Sequence, residues 1–288
     1  MGDLYIPKDK ANAKLPAIAV SGPFGAVKEQ VSGHYAQAMA ERGFIALAFD
    51  PSYTGESGGE PRNIASPDLN TEDFSAAVDF LNNSSLVETQ KIGIIGICGF
   101  GGFALNAAAI DTRIKATAAV TMYDMTRVNA KGYNNVMDEE QRYKLKEKLS
   151  NQRTEDFKNA TATSFAPNPQ KLSGKEPLFV QEYFDYYKTP RGFHPRSINS
   201  NGEWQNVSRL WLINQPILSY IEEIRTPVIL IHGKKAHSRY FSEDVAKRLK
   251  GENKGLVIIK GANHTDLYDN AQKLPFETLA KFFTKYLK

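Results

Sequence analysis

Short, nearly continuous apolar runs recur along the chain at 17–20, 44–49, 92–97, 116–122, 228–231 and 256–259. Each gives way to a turn, and their unbroken apolar character predicts strands covered on both faces rather than strands with one wet side. Between them the spacing predicts helices over 33–42, 71–82 after Ser66-Pro67, 103–110, 242–250 with Ser242 as N-cap, and 275–286. Strand and helix in alternation imply an α/β fold, a mostly parallel central sheet flanked by helices.

One interval breaks the alternation. From 125 to 220 no strand run occurs; the segment opens on a charged helical stretch at 138–148, becomes Tyr-rich at 179–187, and then carries a Gly-, Asn- and Ser-rich stretch at 191–202. We therefore expect a core made of 1–124 and 221–288, with 125–220 inserted as a helical lid or cap. The alternative is a subdomain with its own small core.

Composition narrows the class. The 288 residues suit one large domain with an insertion, and 41% hydrophobic against 24% charged residues supplies a sizeable core. Lys plus Arg at 36 against Asp plus Glu at 32 leaves a scattered +4, which gives neither nucleic acid nor a membrane surface a patch to bind. Cys98 is the single cysteine, so neither an intramolecular disulfide nor a multi-cysteine metal site can form. No signal-like N-terminus and no apolar stretch of about 18 residues is present, and the expected location is cytoplasmic. A homo-oligomer stays open.

The sharpest local feature is Ile94-Ile95-Gly96-Ile97-Cys98-Gly99-Phe100-Gly101-Gly102, a strand entering a Gly-rich turn and then an Ala-rich helix. This is the form of a nucleophile elbow, with cysteine at the nucleophile position. A helix N-terminus at Cys98 is expected to lower the thiol pKa. The same residues also fit a weaker dinucleotide fingerprint, Gly99-x-Gly101-x-x-Ala104, with Asp124 as the ribose ligand; but that fingerprint ordinarily opens a sheet, and here two strand–helix units precede it. A cysteine nucleophile needs a base, and His264, just past the last strand run, is placed to reach the elbow. His237 is the second choice, while His34, His194 and His232 read as structural or solvated. The acid is less marked: Ala236 stands where a His-Gly-x-x-Asp pattern would put it, which leaves Asp124, either orienting His264 or capping the first turn of the insertion, or a dyad with no acid. The backbone N–H groups of Gly99 and Phe24, the latter in Ser21-Gly22-Pro23-Phe24-Gly25, are candidate oxyanion donors.

These pieces together resemble an α/β-hydrolase of the dienelactone-hydrolase-like type with a cysteine nucleophile. The resemblance spans nearly the whole chain, through Phe24-Gly25-Ala26, Gly55-Glu56-Ser57-Gly58-Gly59, the elbow, Ile231-His232-Gly233 and His264-Thr265-Asp266-Leu267-Tyr268. It implies an eight-stranded sheet, a Cys or Ser, His, acid triad and no cofactor or metal, with the first strand missing or reduced to 3–6. The chain lacks the carboxylate that dienelactone hydrolase carries in the 22–24 stretch. The expected function is a cofactor-independent hydrolase of a small ester, thioester or lactone. A peptidase or amidase on the same fold, a dinucleotide-binding oxidoreductase and a catalytically idle binding protein are the alternatives.

Overall fold

The computed structural model describes residues 1–8 and 14–288. The described strands are β1 (Gly2–Tyr5), β2 (Leu15–Ser21), β3 (Ile45–Phe49), β4 (Val87–Ile97), β5 (Ala116–Val120), β6 (Ser164–Phe165), β7 (Trp204–Gln205), β8 (Val228–Gly233) and β9 (Lys254–Ile259). Seven of them form one sheet in the order β1-β3-β2-β4-β5-β8-β9, parallel except for β1, which runs antiparallel to β3. The predicted strand at 3–6 is thus present as β1, and the sheet has seven strands among the described residues where the resemblance implied eight.

The helices are α1 (Val31–Ala40), α2 (Pro67–Asn82), α3 (Phe100–Ile110), α4 (Met125–Lys131), α5 (Glu139–Asn159), α6 (Leu178–Tyr187), α7 (Ile198–Asn201), α8 (Val207–Asn214), α9 (Arg239–Arg248), α10 (Asp266–Asp269) and α11 (Phe276–Leu287). Successive strand residues point to opposite faces. On β4, Ile92 and Ile94 belong to one buried cluster with Phe74 of α2, Phe103 of α3 and Phe241 of α9, whereas Ile95 and Ile97 belong to a second with Tyr35 of α1 and Phe283 of α11. That double burial is why the central strands read as continuous apolar runs. At the edge the expectation fails: Leu256 and Ile258 of β9, the last strand in the sheet order, are 36% and 37% exposed.

Two other expectations are corrected. The first half of β4 is polar and partly exposed from Glu88 to Lys91, with the buried Val87 paired to Leu15 ahead of a register shift, so the apolar pattern does not announce it. The helix predicted at 242–250 starts at Arg239, with Ser238 rather than Ser242 at its N-cap; Ser242 is fully buried inside the helix and turned toward His232. Because β5 pairs directly with β8, everything between them is an excursion from the sheet. It carries α4 to α8 and one short ladder, β6 against β7, that the apolar pattern did not announce.

Candidate active site

Cys98 follows the last residue of β4, the middle strand of the sheet, and precedes α3. Its φ of 55° lies in the left-handed region, which costs a non-glycine residue roughly 1–3 kcal/mol. Backbone hydrogen bonds hold it there: Cys98 N–H donates to Val120 at 3.0 Å, and Tyr123 N–H donates to the Cys98 carbonyl at 2.8 Å. The turn closes only because Gly96 lacks a side chain, since a Cβ there would stand 2.1 Å from the Phe100 carbonyl oxygen. The glycine-rich stretch is thereby accounted for by the packing of the elbow.

Burial pushes the Cys98 thiol above its ordinary pKa, and hydrogen bonds with the Tyr268 and Tyr183 hydroxyls and from the N–H groups of Gly99 and Phe24 pull the other way without cancelling it. This reverses the lowered thiol pKa expected from the helix N-terminus alone. The polar side chains at the sulfur are the tyrosines Tyr268 and Tyr183. The two N–H groups singled out in the sequence, Phe24 and Gly99, do converge on the sulfur. Phe24 is fixed by stacking on Trp204 at 4.4 Å and by the excursion, where Asn199 Nδ2 donates to the Phe24 carbonyl at 2.7 Å and Ser197 Oγ donates to Gly25 at 2.9 Å.

His264 sits in a loop between β9 and α10 and is completely buried. The loop approaches β8 closely because Gly233 has no Cβ, which would otherwise meet the Ala262 and Asn263 carbonyls at 2.5 and 2.6 Å. The Nε2 of His264 lies 3.1 Å from the Tyr268 hydroxyl, and that hydroxyl also hydrogen-bonds Cys98. Tyr268 therefore links base and thiol. On its other side, His264 Nδ1 lies 2.5 Å from Ser238 Oγ, which is 2.9 Å from His232 Nε2; His232 Nδ1 in turn meets Ser242 Oγ at 2.8 Å. Burial, then the neighbouring His237 and His232, hold His264 well below its ordinary pKa, and burial lowers His232 to about 3.

Asp124 is not brought to His264. Its Oδ1 accepts from Thr126 N–H at 3.0 Å, Thr126 Oγ1 at 2.6 Å and Arg127 N–H at 2.9 Å, so it caps α4, and no lone pair of that oxygen is left to reach across the sheet edge. His237, the second candidate base, stacks on Phe179 at 4.4 Å and is lowered by burial to about 4. Sequence reading passed over Ser238 and Tyr268. The signal available for Ser238 was its place two residues past Ala236, in the loop where an acid was sought.

Cys98 opens on a cavity of about 250 Å³ whose lining includes Phe24, Tyr123, Met125, Phe179, Tyr183 and Tyr268 and no Asp, Glu, Lys or Arg. A larger cleft of about 580 Å³ between α2, α3 and the stretch before β8 has neither cysteine nor histidine in its walls. No helix of the described residues is long and apolar enough to cross a membrane, and no group of three or more His, Cys, Asp or Glu among them could hold a metal ion.

Central parallel sheet, strained residue at the strand–helix elbow and histidine loop after the last strand define an α/β-hydrolase. Within that superfamily the chain belongs to the X-Pro dipeptidyl-peptidase (S15) family, which it matches over residues 2–265. It is 56% identical over 286 residues to the uncharacterized protein PA2218 of Pseudomonas aeruginosa, covering 99% of this chain and 76% of that one. The crystal structure of that hypothetical protein superposes with a TM-score of 0.96, covering 99% and 89% of the two chains at 55% identity. The α/β hydrolase GrgF from a Penicillium species shares the fold, with a TM-score of 0.80 at 19% identity over 100% of this chain and 98% of that one. A shorter match, 34% identity over 119 residues, 41% of this chain and 36% of the relative, links it to thiohydrolase aneE of Aspergillus aculeatus. Membership of that family makes it a hydrolase.

Proposed function

We propose that the protein is a cysteine-dependent acyl hydrolase acting on a small-molecule thioester, ester or lactone with an uncharged acyl group. One observation carries this reading: a strained cysteine thiol, met by two backbone N–H groups, faces a cavity without a charged side chain. In the reaction the Sγ proton passes to the Tyr268 hydroxyl as that hydroxyl releases its own proton to His264 Nε2, and Sγ bonds to the carbonyl carbon. The carbonyl oxygen takes up the negative charge and is held by Phe24 and Gly99 N–H. The tetrahedral adduct collapses, the bond to the leaving oxygen or sulfur breaks, and the leaving group takes the proton from His264. Water, deprotonated by His264, then attacks the acyl-cysteine; the acid leaves and Cys98 recovers its proton.

The match to a thiohydrolase favours the thioester, and the elbow and histidine-loop motifs favour a dienelactone-hydrolase-like chemistry. The excursion acts as the lid, since α6 brings Tyr183 and Phe179 to the cavity. The cytoplasm, a reducing compartment, suits the free thiol. Peptide cleavage is the second reading, favoured by membership of a serine-type dipeptidyl-peptidase family. Against it, the cavity lining offers no carboxylate to pair with a peptide's terminal ammonium.

Turnover of p-nitrophenyl acetate and of an aryl thioester by wild type, Cys98→Ala and His264→Ala tests the assignment. We expect both variants to lose activity by on the order of a thousandfold or more. Undiminished turnover by Cys98→Ala would overturn the nucleophile, and faster cleavage of an X-Pro p-nitroanilide than of either ester would favour the peptidase.

A further inference from the structure

The place of the missing acid is filled by an uncharged group. Ser238 occupies the N-cap of α9, where a serine ordinarily turns its hydroxyl to the helix's own N–H groups, yet it makes no such bond. Its Oγ instead lies between two imidazoles, 2.5 Å from His264 Nδ1 and 2.9 Å from His232 Nε2. Ser238, His232, His264 and Ser242 are all fully buried, so these contacts have no competition from solvent. A hydroxyl has one proton to give and can accept another, which makes a serine between two rings a directional element.

We infer that Ser238 is the positioning residue for His264, doing through a neutral hydroxyl what a carboxylate does in a triad, with His232 and Ser242 as the remainder of the chain. The inference rests on the acyl-hydrolase reading above. Proton order follows from the donor count. His264 must keep Nε2 free to act as base, so Nδ1 carries its proton and donates to Ser238 Oγ. Ser238 donates to His232 Nε2, and His232 Nδ1–H donates to Ser242 Oγ. Every ring nitrogen in the chain is then satisfied, and His264 is fixed in the one tautomer that can accept the proton arriving through Tyr268. A neutral partner orients the ring without attracting charge to it, so His264 stays an uncharged base to lower pH than one backed by a carboxylate. The groups facing His264 agree: His232 and His237 oppose a charge on it, Tyr268, Tyr183 and Tyr123 present only hydroxyls and ring faces, and Arg239 opposes a charge on His232.

The test is the pH profile of kcat, with KM, for p-nitrophenyl acetate hydrolysis by wild type, Ser238→Ala, Ser238→Thr and Ser238→Asp, with Cys98→Ala alongside. Ser238→Ala is expected to lower kcat roughly tenfold to a hundredfold with little change in KM, the loss of one buried hydrogen bond expressed in the reaction. Ser238→Thr should restore most of it. Ser238→Asp should move the acid limb of the profile upward by about one pH unit or more, because a carboxylate at Nδ1 favours the imidazolium. Wild-type kcat in Ser238→Ala, or an acid limb unmoved in Ser238→Asp, would overturn the inference while leaving the hydrolase reading intact. Activity surviving in Cys98→Ala would instead sink that reading. Should the serine variants fail to fold, ¹⁵N spectra of wild-type histidines decide the matter: His264 with its proton on Nδ1 supports the chain, and with its proton on Nε2 refutes it.

Discussion

Buried among tyrosine rings, a Cys98 thiolate would lose hydration that no nearby cation replaces, and a buried His264 imidazolium would lose it as well. A preformed thiolate–imidazolium pair is therefore not the resting state, and the proton moves only as a carbonyl is attacked. Alkylation of Cys98 by iodoacetamide should accordingly be slow at pH 7 and rise toward its plateau only above the ~8.5 midpoint of a free thiol. A labelling midpoint below neutrality would contradict this picture. The place of Cys98 at an elbow was legible in the sequence, because its glycines follow the third strand run, where a dinucleotide fingerprint would not ordinarily fall, and the place of His264 was legible from the end of the last strand run. The sign of the thiol's shift was not, since the tyrosines at the sulfur arrive on α6 and α10, far along the chain. Ser238 and Tyr268 were hidden for a different reason: hydroxyls are common, and only the folded positions of two loops make these two into partners of one imidazole.

The elements of the sheet announced themselves through unbroken apolar runs, and the ones that did not are those whose structure comes from pairing or from tertiary contact. The polar start of β4 and the two-residue ladder of β6 with β7 are of that kind. So is α7, four residues long, which places Ser197 at its N-cap and Asn199 inside it against the Phe24–Gly25 turn. Because Asn199 Nδ2 donates to the Phe24 carbonyl and Asn199 N–H donates to the Gly25 carbonyl at 3.1 Å, the excursion holds the turn that aims one of the two N–H donors. Asn199→Ala removes the side-chain half of that clamp. We expect kcat for p-nitrophenyl acetate to fall by about tenfold, the upper end of what one net hydrogen bond supplies, with thermal stability changed by only about 1 kcal/mol. A fall in stability with kcat unchanged would make α7 a packing element only.

Over the whole molecule the buried histidines link the site to stability. His232, His237 and His264 are kept neutral by burial, with His237 lowered from 6.5 to about 4. Below pH 6.5 the unfolded chain binds protons at these positions that the folded chain refuses, so the unfolded state holds the larger number and stability falls as pH falls. His237 alone should withdraw about 2 kcal/mol by pH 5, from a shift worth about 1.4 kcal/mol per unit. Asp50 and Asp73, raised by burial, act in the opposite sense, so the whole acid curve is a mixture. The difference between two proteins isolates the histidine. Wild type should lose several degrees of melting temperature between pH 7 and pH 5, and His237→Gln, which cannot charge, should lose measurably less over the same interval. Equal losses in the two proteins would mean that His237 titrates in the fold as it does in the unfolded chain, and that the ring stacked on Phe179 has access to water.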